Sequence, residues 1–140
     1  SGQIINIASQ AGITPISLMA SYNASKAAVV SFSETMFIEL GSANIKVSVA
    51  CPSFFATNLD ESLRTQQPGM QELVTKVLHR SDIDATQVAA QIYQLSQQGK
   101  FMIVTHKLGK RAYWMKRWLP NGYYMNMMKK KLQHFRPKTP

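Results

Sequence analysis

Tyr22 and Lys26 stand four positions apart in SYNASKAAVV (21–30), and they are the only large polar side chains in a run otherwise made of Ser, Asn, Ala and Val. On a helix, residues at i and i+4 share a face. A free phenol titrates near pH ~10 and a lysine near ~10.4. A cation held beside a phenol favours the phenolate, which makes a tyrosine usable as a general acid or base near neutral pH. Ser9 closes the apolar run IINIAS. It falls at a strand end, where open α/β sheets place their ligand crevice. Its hydroxyl would polarise a carbonyl oxygen held beside Tyr22. Proton exchange at a carbonyl or alcohol oxygen is the chemistry open to these three residues.

Those side chains need elements to position them. QIINIA (3–8) is a short apolar run bounded by turn residues, and reads as a strand buried on both faces, as in a parallel sheet. SQAGITPISLMA (9–20) holds Gly12 and Pro15 and reads as a loop. Residues 21–41 read as a long helix ended by Gly41. Val29, Phe32, Met36 and Leu40 line one face and Val30 and Phe37 another. Two apolar faces predict packing on the sheet and on something else, and so a homo-oligomer joined helix to helix. IKVSVAC (45–51) is a second buried strand, stopped by Pro52. Thr57 with Asp60 reads as a capping pair, and residues 70–79 as a further helix. Asp84 with Gln87 opens VAAQIYQLSQQ, which stops at Gly99. FMIVT (101–105) is a third strand. Strand, helix, strand, helices, strand implies parallel crossovers and an open α/β sheet. Such a three-stranded sheet would expose its first strand as an apolar edge. With the chain opening on Ser-Gly-Gln and the strand starting at Gln3, the expectation is a cut point at Ser1 and a larger domain continuing on the N-terminal side.

The 140 residues, 45% of them hydrophobic, suffice for one modest domain with a core. No apolar run approaches the roughly 18 residues that span a bilayer. The single cysteine, Cys51, excludes an internal disulfide framework and fits a reducing compartment, so the expected location is cytoplasmic. At the end of an apolar strand it reads as buried filler. His79, His106 and His134 are scattered without metal-ligand spacing and read as surface residues, so no metal site is expected. Residues 1–99 hold five basic and seven acidic residues, a balance of −2; residues 100–140 hold eleven basic and no acidic ones, +11, and together they give the net +9. The basicity belongs to the tail.

The run IINIAS ending at Ser9, Tyr22-Asn-Ala-Ser-Lys26 thirteen positions on, then VSVACP and Thr57, together resemble the second half of a short-chain dehydrogenase/reductase. In that family a serine precedes the Tyr-x-x-x-Lys pair by thirteen positions, and a following strand ends in Pro-Gly-x-x-x-Thr. The resemblance covers about residues 1–105. It implies that Tyr22 exchanges a proton with the substrate oxygen. Lys26 would assist it and hydrogen-bond the nicotinamide ribose, and Ser9 would orient the substrate oxygen. Pro52, the backbone near Phe55 and the Thr57 side chain would hold the nicotinamide carboxamide. Ser53 replaces the family's glycine after the proline. The family's glycine-rich phosphate loop, its ribose selector and its catalytic asparagine belong to its first half and are not among these residues. The chain as it stands is therefore expected to bind a dinucleotide poorly, and the cofactor is left as NAD or NADP. Taken singly, each residue also has a plain reading: Tyr22 and Lys26 as solvated helix residues, Ser9 as a strand terminator, Thr57 as an N-cap.

Residues 107–136 interleave basic residues with Tyr113, Trp114, Trp118, Tyr123, Tyr124 and Phe135, and Pro120-Asn121-Gly122 should divide them into two short helices. Three readings stand: a helix pair lying on an anionic membrane surface, a cover over the substrate crevice, or aromatics packed on the body with solvated lysines. No reading motif supports nucleic-acid binding. The expected organisation is the second half of a doubly wound, Rossmann-type α/β domain over 1–106 with a basic helical extension over 107–140. The expected activity is an NAD(P)-dependent oxidoreductase on an alcohol or carbonyl, apolar given Leu18, Met19, Phe54 and Phe55. The alternative is an inert or membrane- or partner-binding piece led by the tail.

Overall fold

The structure is a computed structural model and describes residues 1–55, 81 and 83–132. Thr57, Asp60, the expected 70–79 helix, His79, His134 and Phe135 lie outside the described residues. A parallel sheet in the order β1-β2-β3 carries the architecture, with β1 at Gly2–Ile7, β2 at Ile45–Ala50 and β3 at Met102–Ile103. β1 and β2 run in register from Gly2 opposite Ile45 to Ile7 opposite Ala50, and β3 joins β2 at Val49–Met102 and Ala50–Ile103. The expected α/β class with a parallel sheet is what forms. β3 is shorter than the run FMIVT, although Val49 N–H still donates to Phe101 O at 2.7 Å.

The central strand β2 buries Val47, Ser48, Val49 and Ala50, the continuous burial expected of a strand covered on both faces. Ser48 is tolerated there because its hydroxyl donates to Lys100 O at 2.8 Å. β1 is an edge, and its Ile7 is exposed.

Residues 9–20 are not loop throughout. A short helix, α1 (Gln10–Ile13), follows β1 with Ser9 as its N-cap. α2 then spans Ala20–Leu40. Its stop differs from expectation. Gly41 sits at φ −57, ψ −38 and opens a 3-10 turn, Gly41–Ala43. The left-handed residue is Asn44, at φ 55, a conformation its short polar side chain tolerates. The faces of α2 also differ: Val30 and Ser33 are its buried residues, whereas Phe32, Phe37 and Ile38 are exposed. Ser33 accepts from Asn6 Nδ2 at 2.9 Å and donates to Val29 O at 2.6 Å, a polar tie between α2 and β1.

α3 (Ala85–Gln97) begins with the expected capping box. Asp84 Oδ1 accepts from Gln87 N–H at 2.8 Å and Gln87 Oε1 accepts from Asp84 N–H at 3.0 Å. It ends at Gly99, φ 73. The tail forms two helices parted at Leu119–Pro120, α4 (Lys107–Trp118) and α5 (Asn121–Leu132). Tyr113 of α4 packs against the core built from Ala8, Ile13, Val30, Val49, Cys51 and Val104. No helix among the described residues is long and apolar enough to cross a membrane.

Candidate active site

Ser9 leaves β1 with an extended backbone, φ −164 and ψ 157, and its Oγ accepts from Ala11 N–H at 3.2 Å. A hydroxyl that accepts at a cap keeps its own proton to donate elsewhere. Two backbone bonds flank it: Ala8 N–H to Ala50 O and Gln10 N–H to Pro52 O, both 2.8 Å. They zip the chain beyond β1 to the chain beyond β2 and set Ser9 beside Cys51-Pro52.

α1 lies directly on α2. A Cβ on Gly12 would stand 2.6 Å from Lys26 O and 2.7 Å from its carbonyl carbon, so only glycine permits this approach. On α2, Lys26 Nζ sits 5.8 Å from the centroid of the Tyr22 ring, the one-turn pairing expected of i and i+4 and within cation–π reach. The first turn of α2 is fixed by Asn23, whose Nδ2 donates to Ile16 O at 2.7 Å while its Oδ1 accepts from Ile16 N–H at 3.3 Å.

Cys51 is fully buried, as its place at a strand end suggested. Burial pushes its thiol up from 9.0 to about 11, against opposing pulls from the Ser9 backbone N–H and the Lys26 charge. Ser9, Lys26 and Cys51-Pro52 thus converge at the C-terminal end of the sheet, with Tyr22 one turn from Lys26. Thr57 lies outside the described residues.

Phe55 stacks on His106, with ring centroids 6.1 Å apart and planes at 29°. His106 is not the surface residue expected. It is half-buried. Its Nδ1 accepts from Ser53 N–H at 3.3 Å and lies 2.8 Å from Thr105 Oγ1, and its Nε2 lies 3.3 Å from Ser81 Oγ. It therefore braces the segment after Pro52. The available sequence signal was its place at the end of FMIVT, the sheet end that also carries Ser9 and Pro52. α4 closes on the same region. Gln10 Nε2 donates to Thr14 Oγ1 at 2.7 Å and to Gly109 O at 3.3 Å, and Lys116 Nζ donates to Ile13 O at 2.7 Å. Among the described residues no group of three His, Cys, Asp or Glu side chains is placed to hold a metal ion.

Comparison with known proteins agrees with this geometry. The family model for short chain dehydrogenase matches residues 1–68. A 3-oxoacyl-[acyl-carrier-protein] reductase of Synechocystis sp. is 41% identical over 66 residues, covering 47% of this chain and 27% of that protein. Human 17-beta-hydroxysteroid dehydrogenase type 2 is 30% identical over 112 residues, covering 80% of this chain and 28% of its own length. A solved short chain dehydrogenase/reductase from Burkholderia phymatum, in complex with NAD, superposes with a TM-score of 0.72 at 25% identity, over 99% of this chain and 50% of that one. A short chain dehydrogenase from Burkholderia cenocepacia J2315, in complex with NADP, shares the fold with a TM-score of 0.66 at 18% identity, over 100% of this chain and 48% of that one. The chain thus spans little more than a quarter of these curated relatives and about half of the solved chains.

Proposed function

Because the chain belongs to the short-chain dehydrogenase/reductase family, we propose that it supplies the proton-handling side of an NAD(P)-dependent oxidoreductase acting on an alcohol or carbonyl. The observation that carries this reading is the convergence of Ser9, Lys26 and Pro52 at one end of a parallel sheet, with Tyr22 beside Lys26. The Tyr22 hydroxyl gives a proton to the substrate oxygen in reduction and takes one in oxidation. Lys26 holds a positive charge next to that ring, with Nζ 5.8 Å from its centroid. Ser9, with Oγ already accepting from Ala11, turns its O–H to the same substrate oxygen.

The residues present fit the nicotinamide end of the cofactor. Ser9, Tyr22, Lys26, Pro52 and Phe55 are all half-buried, walled in yet open to a ligand. The segment 52–55 is fixed by Gln10 on one side and His106 on the other, which makes it a firm edge for a planar carboxamide held by Pro52, the Phe55 backbone and Thr57. Lys26 is the residue to hydrogen-bond the ribose. NAD or NADP, when bound, supplies the hydride chemistry itself. The substrate is an apolar compound, a reading supported by Leu18 and Met19 shortly before Tyr22 and by Phe54 and Phe55 shortly after Pro52. A 3-oxoacyl group and a hydroxysteroid, named for two of the relatives, are of that kind. A homo-oligomer built on α2 belongs to the same proposal, supported by its exposed Phe32 and Ile38, as does action in the cytoplasm.

The test is Tyr22→Phe in a protein that carries this chain together with a dinucleotide-binding half. Turnover of a carbonyl substrate should fall by about 10²–10⁴-fold, the usual share of general acid–base catalysis. Thermal stabilisation by the cofactor should persist in part. Retention of most of the turnover would remove Tyr22 from the reaction.

A further inference from the structure

Among the described residues, helix α4 is tied to the body by one side only. Gly109 stands so close to Gln10 that a Cβ there would lie 2.5 Å from Oε1. Lys116 Nζ is bonded to Ile13 O, and Tyr113 packs against the core. At 3.6 residues per turn, positions 109, 113 and 116 fall on one face. The opposite face is thereby fixed outward. It presents Arg111, Trp114 and Trp118, with exposed Lys110, Arg117 and Leu108 on its flanks.

The exposure is large for apolar groups: 81% for Leu108, 78% for Trp118 and 52% for Trp114. The two indoles stack on each other, 6.5 Å apart at 30°. α5 continues the pattern with exposed Tyr123 and Met125 and with Lys129–Lys131 in its last turn. Neither helix contains an acidic residue. Cations set among exposed tryptophans match the boundary of a bilayer, where indoles lie at the headgroup level and basic heads reach lipid phosphates. A nucleic acid would satisfy the same charges and stack on the indoles, but it would leave Leu108 and Met125 in water.

We propose that the outward face of α4, continued by α5, docks the protein on an anionic membrane surface. The proposal stands independently of the hydride chemistry. It gives a route by which an apolar substrate dissolved in the bilayer reaches the sheet end to which the inner face of the same helix is tied.

The test needs no substitution at first, because Trp114 and Trp118 are the only tryptophans in the chain and both lie on this face. Vesicles of phosphatidylcholine with phosphatidylglycerol should shift the emission of the full chain to the blue, and brominated acyl chains should quench it. Vesicles of phosphatidylcholine alone should do much less. Each basic residue at an anionic surface is worth about fivefold in affinity, so Lys110→Gln, Arg111→Gln and Arg117→Gln together should weaken binding about a hundredfold. Added salt should weaken it likewise. Emission unmoved by anionic vesicles overturns the proposal. So does a blue shift that appears with duplex DNA or RNA but not with lipid, or one that follows protein concentration without lipid. Equal binding by the triple variant overturns it as well.

Discussion

Replacing Gly12 by alanine should loosen the site without altering any residue given a chemical role. The new Cβ would stand 2.6 Å from Lys26 O, 2.7 Å from Lys26 C and 3.0 Å from Ala27 N. A carbon–oxygen contact settles near 3.3 Å, so α1 must retreat by about 0.7 Å. All three obstructing atoms are backbone inside the 21-residue α2, and no rotamer change relieves them. Overpacking of this kind costs about 1–3 kcal/mol, against a helix-propensity gain of at most ~1 kcal/mol. The expected net loss is about 1–2 kcal/mol, read as a lower urea midpoint at unchanged slope. Activity should suffer more than stability does. Gly12 N–H donates to Ser9 O at 3.0 Å, so the retreat carries Ser9 away from Lys26, and a misplacement of about 1 Å can cost on the order of 10²-fold in rate. A Gly12→Ala variant that melts with the parent and turns over as fast would refute the close α1–α2 approach and the argument built on it.

Ser33→Ala should leave the Asn6 amide only the weak Met36 Sδ acceptor, 3.8 Å away, and lower stability by about 1 kcal/mol by urea unfolding, whereas adding Asn6→Leu should restore much of the loss, since an apolar pair needs no partner. Asp84→Ala should cost about 1 kcal/mol through the broken capping box, and amide exchange should rise first in the opening turn of α3.

The features legible in the sequence are those whose cause is local. Apolar runs bounded by turn residues gave the three strands, Asp84 with Gln87 marked a helix start, and Pro120-Asn121-Gly122 marked the break between α4 and α5. Tyr22 and Lys26 were legible because helical spacing alone sets their pairing. Where causes are distant, the reading failed. Gly41 and Asn44 can each end a helix; the choice of Asn44 goes with β2 entering register at Ile45 opposite Gly2. Ser33 ties α2 to β1 through Asn6, 27 positions away, and no local pattern signals that tie. His106 looked idle, because Ser53 lies 53 positions away. The pinning of α4 on α1 joins residues about a hundred positions apart, and no periodicity within either segment encodes it.

The Cys51 thiol offers a reading of the site that needs no substrate. Burial holds it at about 11 against an ordinary 9.0, while the Ser9 N–H and the Lys26 charge pull it down. A raised thiol value means that the unfolded chain releases the proton first. The associated stability is complete below about 9 and is lost as pH rises through about 11. Over that window the loss is at most about 2–3 kcal/mol. Other groups titrate in the same range, so the quantity to compare is the pH slope of stability in the parent against Cys51→Ala, with the steeper fall expected in the parent. Equal slopes in the two proteins would mean that Cys51 is not shielded from water where the chain beyond β2 meets Ser9.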